Sequence, residues 1–519
     1  MKIKHRFKCF FSQVTFASIF TVVLVFYIIV LPLWEFRKIV KYFPLFCLTS
    51  FAGLSVLFLV FHIVKPIFKK NKYFYKISES SLTYILMLSC FVRQFCSRIF
   101  IATTFADTPT YVSAGLKFLN LKIDSLRTPV YPLFLNLLGM KDTSYDTLHN
   151  PQLLDRIVLV QNILSLASVV FLYFALTYIF KSKKIILAVS ILYSCNIYFI
   201  IWDYCVLTEC FSLIGTVLYI FFLALYLKKP SATMGVVIGL HTFVLLMIRP
   251  SFLVFMAITA VFWIVRLIFE KSSRKSAAFG LAAVVLSFVL MQGYSVLNYN
   301  QNGFNGVSHV HQNVNQLCIF IEDNQYRNPE YPDIEKFIDE NVNMNDAVSI
   351  WLLTNEINEK FGLARTSEYS KSTVKLHYRS FVISQIRKVI ENADRSLVTK
   401  PANFDNKEKH LHPNKEKYLH SFFNALAKTF VPINFFMVVI ICGASIFMGL
   451  RVWIKTKKTP YVLFGLSALV IATLFTVFYG SMGEFSRLAL IAVPMVTILV
   501  FHTYEQSRVL NMMHDKTTK

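Results

Sequence analysis

The sequence has few charged residues. Only 16% of its 519 residues are Asp, Glu, Lys or Arg, whereas an average soluble domain carries about 25%. Hydrophobic residues make up 55% of the chain, and they include 51 Phe and 25 Tyr. This composition excludes an ordinary soluble globular protein and indicates a protein that lies in a membrane.

Cysteines are few, and their positions form no framework. The chain has nine of them, and most fall inside apolar segments. Their spacing matches neither a disulfide scaffold nor a metal site. His410 and His412 stand in a polar, turn-rich stretch without a carboxylate or cysteine at ligand spacing, which favours solvated histidines there. The sequence also shows no internal repeat and no low-complexity tract.

Long apolar runs, by contrast, are abundant. A helix needs about 20 mostly apolar residues to cross a bilayer, and about twelve segments meet this requirement. They lie near residues 14–33, 43–63, 81–102, 158–180, 184–202, 205–227, 233–248, 250–268, 276–297, 431–450, 460–480 and 486–504. The first segment is followed by no small-residue cleavage site, so we expect a span rather than a signal peptide. The sequence therefore predicts an all-α polytopic membrane protein with about 12 transmembrane helices.

The basic residues orient these helices. With the N-terminus inside, the cytoplasmic segments carry several times more Lys and Arg than the short outer turns, as the positive-inside rule requires. The net charge of +24 gathers on this cytoplasmic side, because the stretch 298–430 is itself neutral. Such charge is typical of a protein that faces anionic lipid, and it gives no support to nucleic-acid binding. We expect both termini to be cytoplasmic.

Two predicted external segments are long enough to fold. Residues 103–157 contain short stretches with apolar residues at helical spacing, which predicts amphipathic helices that lie on the outer membrane surface. Residues 298–430 are about the size of a small domain. Their apolar residues recur at intervals of three and four, which predicts mainly helical structure.

Acidic and arginine side chains gather at the predicted outer ends of the spans. A charge near the bilayer centre costs about 2.5–3.5 kcal/mol on insertion scales, so such residues often mark a functional site. The alternative is ordinary helix-end residues that reach to water. The residues are Asp107, Asp124, Arg127, Asp203, Glu209, Arg249, Glu484 and Arg487. Arg93 adds positive charge nearby. A carboxylate beside fixed cations suits general-base catalysis next to a bound phosphate.

Five short motifs occur in order along the chain. They are "DTPTYVSAG", "LRTPVYPLFLNLLG", "VQNILS", "LTECF" and "MIRPSFLVF". Together they resemble bacterial polytopic glycosyltransferases of the GT-C superfamily, in particular the protein-mannosyltransferase and aminoarabinose-transferase relatives of the family 39 type. "LNYNQNGFNGVSHVHQNVNQL" resembles the stretch that opens their external domain. The resemblance covers about residues 81–320.

The resemblance implies a GT-C-like fold in four parts. Residues 1–78 would form a two-span N-terminal extension. Residues 79–297 would form the GT-C-like transmembrane module with the external loop 103–157, and residues 298–430 a mainly helical periplasmic domain. Residues 431–519 would complete the chain as a three-span bundle with a cytoplasmic tail.

The resemblance also implies an activity. Such enzymes take a sugar from a polyprenyl-phosphate donor and transfer it, with inversion, to a lipid, glycan or protein acceptor at the outer face of the cytoplasmic membrane. Asp107 occupies the position of their general base. An alcohol acceptor must lose its proton as it attacks, and a carboxylate within hydrogen-bond reach is suited to take it. The sugar, the acceptor and the carrier length stay open.

Other charged residues are assigned to the same predicted site. Asp203 and Glu209 are candidates for contacting the acceptor or a divalent metal ion, which the resemblance allows as a cofactor. A phosphate leaving group departs best against fixed cations. The candidates for this role are Arg127, Arg249 and Arg487.

The motif "RTPVYP" predicts a change of chain direction. Pro129 and Pro132 are expected to stop a long helix and turn the chain along the interface. Tyr131, and Tyr111 in the preceding segment, are expected to anchor the loop at the headgroups, where aromatic residues are enriched. This arrangement would hold Asp107 at the depth of a lipid-linked sugar.

Two other functions remain possible from the sequence. An O-antigen ligase or polymerase also has about a dozen spans and a large late external loop, and it would use His309 or His311. A lipid or glycan transporter would place polar residues near the membrane centre and show repeat symmetry, which the sequence lacks. An essential histidine with a dispensable Asp107 would favour the ligase.

Overall fold

A computed structural model of the protein describes residues 81–97, 100, 102–343, 347–392, 435–480 and 488–517. The described part is helical, and six of its helices are long and apolar enough to cross a membrane. The helical, membrane-embedded character is therefore confirmed for the described residues, while the count of twelve spans and the GT-C-like fold remain predictions. Several predictions concern residues outside the described part: the spans 14–33 and 43–63, the extension 1–78, and His410, His412, Glu484 and Arg487.

The first eleven helices of the described part run from residue 81 to residue 302. They are α1 Ser81–Ser97, α2 Thr108–Leu119, α3 Val130–Leu137, α4 Tyr145–Leu148, α5 Pro151–Ile179, α6 Lys183–Ser194, α7 Ile197–Trp202, α8 Glu209–Lys228, α9 Ala232–Ile248, α10 Leu253–Phe269 and α11 Arg274–Asn302. Short 3₁₀ turns, Pro250–Phe252 and Lys271–Ser273, precede α10 and α11. Most of these helices correspond to predicted spans or to predicted surface helices of the 103–157 loop.

A second group of helices follows, and three more close the chain. The second group opens with a π-helical turn, Val310–Asn315, and continues as α12 Gln316–Glu322, α13 Pro332–Asn341, α14 Ala347–Phe361, α15 Leu363–Leu376 and α16 Tyr378–Asn392. The last three are α17 Phe435–Thr456, α18 Tyr461–Gly480 and α19 Ala492–Thr517. We refer to residues 304–392 as the polar helical unit.

The break between α9 and α10 has a local cause. Proline has no backbone N–H, and it pushes the preceding residue into an extended conformation. Arg249 accordingly has φ −157° and ψ 129°. The sequence predicted this break at Arg249-Pro250. The break places the Arg249 side chain at a helix end.

Two separate hydrophobic cores hold the described helices. The larger core lies among α1 to α11 and α17 to α19, with Trp202 and Trp263 among its fully buried side chains. The smaller core belongs to the polar helical unit and includes Phe320, Ile338 and Tyr369. Because the smaller core is made from its own helices, the polar helical unit packs as a distinct body next to the membrane helices.

Helices α9 and α11 pack with their backbones unusually close. A Cβ added to Gly239 would lie 2.6 Å from the Ala283 Cβ, and one added to Gly235 would lie 2.7 Å from the Ser276 carbonyl oxygen. The Ser287 hydroxyl also donates to the Gly239 carbonyl across the contact at 2.9 Å. Small residues spaced by four are the usual means by which membrane helices approach this closely. These two helices therefore form one rigid pair.

Candidate functional site

Two loops meet at one end of the membrane helices. The Thr103 N–H donates to the Tyr204 carbonyl and the Val206 N–H donates to the Thr103 carbonyl, both at 2.9 Å, so that Thr103 and Cys205 form an isolated parallel bridge. The Thr108 hydroxyl adds a bond of 3.1 Å to the Val206 carbonyl. These bonds fix the start of α2 against the turn that leads into α8. Asp107, which caps α2, is thereby brought to the Asp203–Glu209 region.

Asp107 forms an ion pair with Arg127. The distance between Arg127 Nη2 and Asp107 Oδ1 is 2.7 Å. Arg127 is further held by α2, because its Nε donates to the Thr110 hydroxyl at 2.8 Å and its guanidinium lies 4.3 Å from the centre of the Tyr111 ring. The Asp107 side chain stays 29% exposed and that of Arg127 15% exposed. The pair is thus oriented by the protein and remains partly exposed.

Asp124 builds the turn that carries Arg127. Its Oδ1 accepts from the backbone N–H groups of Leu126 and Arg127 at 2.9 and 2.8 Å, and its Oδ2 pairs with Lys117 Nζ at 2.8 Å. Asp124 is buried even though it stands in a polar turn. The reason is that an aspartate can close a turn on its own backbone, and here that turn is covered by its neighbours.

The polar helical unit contacts this same turn. His309 donates from its backbone N–H, and its Nδ1 lies 2.9 Å from the same acceptor, the Ser125 carbonyl. The Ser308 hydroxyl donates to the Leu126 carbonyl at 2.8 Å. Burial lowers the pKa of His309 to about 4, so the ring is neutral near pH 7 and can donate from Nδ1. His309 therefore lies beside the Asp107 loop and supports it through the backbone.

Glu209 and Arg249 form a second ion pair. Arg249 Nη2 lies 3.2 Å from Glu209 Oε1, with side chains 14% and 1% exposed. Glu209 begins α8, where the helix dipole favours a carboxylate. The Thr128 hydroxyl donates to the Ile248 carbonyl at 3.2 Å, which ties the Arg127 turn to the residue before Arg249. The two arginines thus belong to neighbouring, connected segments.

Asp203 and Arg93 form the third pair, and it is fully enclosed. Arg93 Nη1 lies 2.6 Å from Asp203 Oδ2, and the guanidinium also donates to Asn162 Oδ1 and the Ser165 hydroxyl, each at 2.7 Å. From the sequence, Arg93 could be recognised only as a positive charge near the predicted site. Polar residues at three-residue spacing on α5, Asn162 and Ser165, were the available signal for a buried partner.

Tyr131 lies inside the protein, contrary to the expectation of an interfacial anchor. It is fully buried, and its hydroxyl donates to Gln161 Oε1 at 3.0 Å. Gln161 in turn donates to the Asp203 and Cys205 carbonyls at 2.8 and 3.1 Å. Tyr111, also buried, meets the Tyr131 ring edge-on with 5.4 Å between centroids. The two tyrosines link the first ion pair to the third.

The prolines of "RTPVYP" begin a helix instead of ending one. Pro129 caps α3, and Pro132 lies in its first turn. A proline is tolerated there because the first N–H groups of a helix have no partner within the helix. The chain therefore turns at residues 124–128, held by Asp124, before the prolines.

Exposure distinguishes the three acids. The side chains of Asp203 and Glu209 are each 1% exposed, whereas that of Asp107 is 29% exposed, although all three acids pair with arginines. Among the described residues, no group of three or more His, Cys, Asp or Glu side chains is placed to hold a metal ion. Arg487, the remaining predicted phosphate ligand, lies outside the described residues.

No protein-family model, curated protein or solved structure matches this chain. The described site consists of three arginine–carboxylate pairs and the hydrogen bonds between their segments. Of the three paired acids, Asp107 has the most exposed side chain.

Proposed function

We propose that the protein is a membrane glycosyltransferase, and that Asp107 is its general base. It would move a sugar from a polyprenyl-phosphate donor to an acceptor hydroxyl at the outer face of the cytoplasmic membrane. The observation that carries the proposal is the partly exposed ion pair of Asp107 with Arg127, at 2.7 Å and with side chains 29% and 15% exposed. It combines a proton acceptor and a phosphate ligand at the edge of a buried polar cluster.

The reaction would proceed as a single displacement with inversion. The acceptor oxygen forms a bond to the anomeric carbon as the bond from that carbon to the phosphate oxygen breaks. The bonding electron pair leaves with the phosphate, and the hydroxyl proton passes to a carboxylate oxygen of Asp107. Arg127 fixes the orientation of the carboxylate, which general-base catalysis needs.

The arginines would bind the leaving phosphate. Planar guanidinium groups suit bidentate contacts with phosphate oxygens, and charge that develops in the transition state is best met by groups already in place. Arg127 and Arg249 are partly exposed and are tied together through Thr128 and Ile248. Asp203, held by Arg93, supports the loop from within and is not available to an acceptor.

The test is transfer by purified protein in defined lipid. Asp107→Asn preserves size and removes the proton acceptor, so we expect the transfer rate to fall roughly 10²- to 10⁴-fold while donor binding persists. Asp146→Asn is the matched control, since Asp146 is an exposed acid of the same loop, and it should retain full activity. Mass spectrometry of envelope glycans with and without the gene identifies the sugar and acceptor to use.

A ligase or polymerase is the competing proposal, and one contact favours it. His309 lies against the loop that carries Arg127, so a catalytic histidine would have access to the same donor. Near-normal transfer by Asp107→Asn, together with inactive His309→Asn and His311→Asn variants, would replace the glycosyltransferase proposal with this one.

A further inference from the structure

Helix α2 ends in a turn with a leucine where glycine is usual. The Leu121 N–H donates to the Phe118 carbonyl at 3.0 Å, and the Lys122 N–H donates to the Lys117 carbonyl at 2.8 Å. This pair of bonds defines the common helix-ending turn in which the residue after the cap is left-handed. Leu121 has φ +57°, a conformation that glycine adopts freely and other residues rarely do.

The described part of the protein leaves this leucine uncovered. Leu121 is 89% exposed, and Leu119, the last residue of α2, is also exposed. Glycine would fit the backbone of the turn better, and a polar residue would suit contact with water. Two neighbouring exposed leucines at this turn are suited instead to apolar surroundings.

The position of the turn indicates what covers it. The Ile123 N–H donates to Gln301 Oε1 at 2.6 Å, and Asn302 Nδ2 donates to the Ile123 carbonyl at 3.0 Å. The turn is thus bound to the C-terminal end of α11. This helix has 29 residues, so it is about 43 Å long, close to the bilayer thickness of about 40–45 Å with its headgroups.

The flank of α11 is apolar and uncovered. Its exposed large side chains are Phe279, Val285, Leu286, Phe288, Val289, Leu290, Val296, Leu297 and Tyr299. On a helix long enough to span a membrane, such a surface faces lipid. The α2 turn lies at the end of the same helix, and Lys122 beside it is exposed. A lysine at this depth can reach headgroup phosphates while its stem lies along apolar surface.

We propose that Leu121 and Leu119 insert into the lipid at the membrane–water interface, with Lys122 directed to the headgroups. The partner of this surface is the bilayer itself. These leucines replace Tyr111 and Tyr131, both buried in the protein, as the anchor of the first external loop. The proposal does not depend on the enzymatic activity proposed above.

The experiment places a fluorescent reporter at the turn in the full-length protein. Leu121→Trp and Leu119→Trp are reconstituted in phosphatidylcholine vesicles whose acyl chains carry bromine, which quenches tryptophan on contact. Subtracting the signal of the unsubstituted protein removes its five native Trp residues. Both variants should be quenched, and more by bromine near the headgroup than by bromine near the chain end, because interfacial segments insert only about 5–10 Å.

Lys336→Trp is the control, because Lys336 lies on the polar helical unit with its side chain 76% exposed. It should be quenched by aqueous iodide and not by brominated lipid. If Leu121→Trp and Leu119→Trp behave like this control, the proposal is wrong. Shielding from both quenchers that depends on the protein-to-lipid ratio would identify a second copy as the covering partner and would equally overturn it.

Discussion

The two ends of helix α10 each meet a paired arginine, and the surroundings of the two guanidinium groups differ. At the C-terminal end, buried Arg266 pairs with Glu270 one turn later, and it lies 4.8 Å from the centre of the Tyr461 ring and 5.1 Å from that of Tyr226. At the N-terminal end, Arg249 pairs with an acid forty residues away in sequence and remains partly exposed. About 25 Å of helix separates the two ends.

We expect this difference to separate charges with a structural role from charges with a functional one. Arg266 is enclosed by its acid, the Ser273 hydroxyl and aromatic rings, so a ligand could reach it only by displacing packed side chains. The side chains of Arg249 and Arg127 remain partly exposed, at 14% and 15%. The open end also contains the carboxylate of Asp107. An ion pair that leaves an exposed face can meet a substrate, whereas an enclosed pair acts on stability.

The membrane topology gives the test with the largest expected effect, because each reporter fusion is either external or cytoplasmic. Reporter fusions after residues 145 and 350 should be external, and fusions after residues 272 and 455 should be cytoplasmic, as the distribution of Lys and Arg predicts. A fusion at 272 reports on the Arg266 end of α10. Placing residue 350 in the cytoplasm would put the proposed site on the wrong side for an outer-leaflet donor.

Replacing the proposed general base, Asp107, should have the next largest effect. The Asp107→Asn variant described above should lose transfer by roughly 10²- to 10⁴-fold without a matching loss of thermal stability. The enclosed Arg266–Glu270 pair serves for comparison. Glu270→Gln should lower the apparent Tm and leave the transfer rate per folded molecule unchanged. Equal effects of both variants on activity would remove the distinction between open and enclosed pairs.

Arginine substitutions sharpen the comparison further. Arg249→Gln and Arg127→Gln should raise the KM for the lipid-linked donor, and Lys should restore only part of the loss because a point charge cannot make a planar two-pronged contact. Arg266→Gln should instead reduce folded protein, as expected when one partner of a buried pair is left alone. Normal KM in Arg249→Gln would return that residue to a structural role.

The smallest effect concerns His309. His309→Ala should lower transfer modestly, while His309→Asn should retain more, because the Asn amide can donate near the position of Nδ1. Since the neutral imidazole has a pKa near 4 in the fold and about 6.5 unfolded, its stabilising contribution is complete above pH 6.5 and is lost as the pH falls towards 4. His309→Asn should weaken this acid sensitivity in thermal unfolding measured against pH.

Local signals in the sequence predicted the helices well. Apolar length identified the long helices, and Arg249-Pro250 marked a break because the effect of proline acts within two residues. The clustering of acids and arginines at one end of the helices could also be predicted. It follows because successive spans alternate in direction, which places these residues on the same side. The sequence did not reveal which acid meets which arginine. Arg93 and Asp203 are 110 residues apart, and their contact depends on how α1, α5 and α7 pack.

The aromatic residues of the first loop were misjudged for a similar reason. Tyrosine suits both an interface and a core whenever its hydroxyl finds a partner, and Gln161, which binds Tyr131, lies thirty residues further along. Composition cannot separate these cases. Leu121 is the opposite case. A leucine in a sequence suggests burial, and only the backbone conformation and the exposure of Leu121 indicate that it faces outward.

The close packing of α9 and α11 has a mechanical consequence. Helix α9 ends next to Arg249. Helix α11 ends at Gln301 and Asn302, which hydrogen-bond to the backbone of Ile123, four positions before Arg127. Because backbone meets backbone at Gly235 and Gly239, neither helix can slide without the other. This helix pair therefore restrains the distance between the two guanidinium groups. In the proposed function, a donor bound by both arginines would have to match that distance.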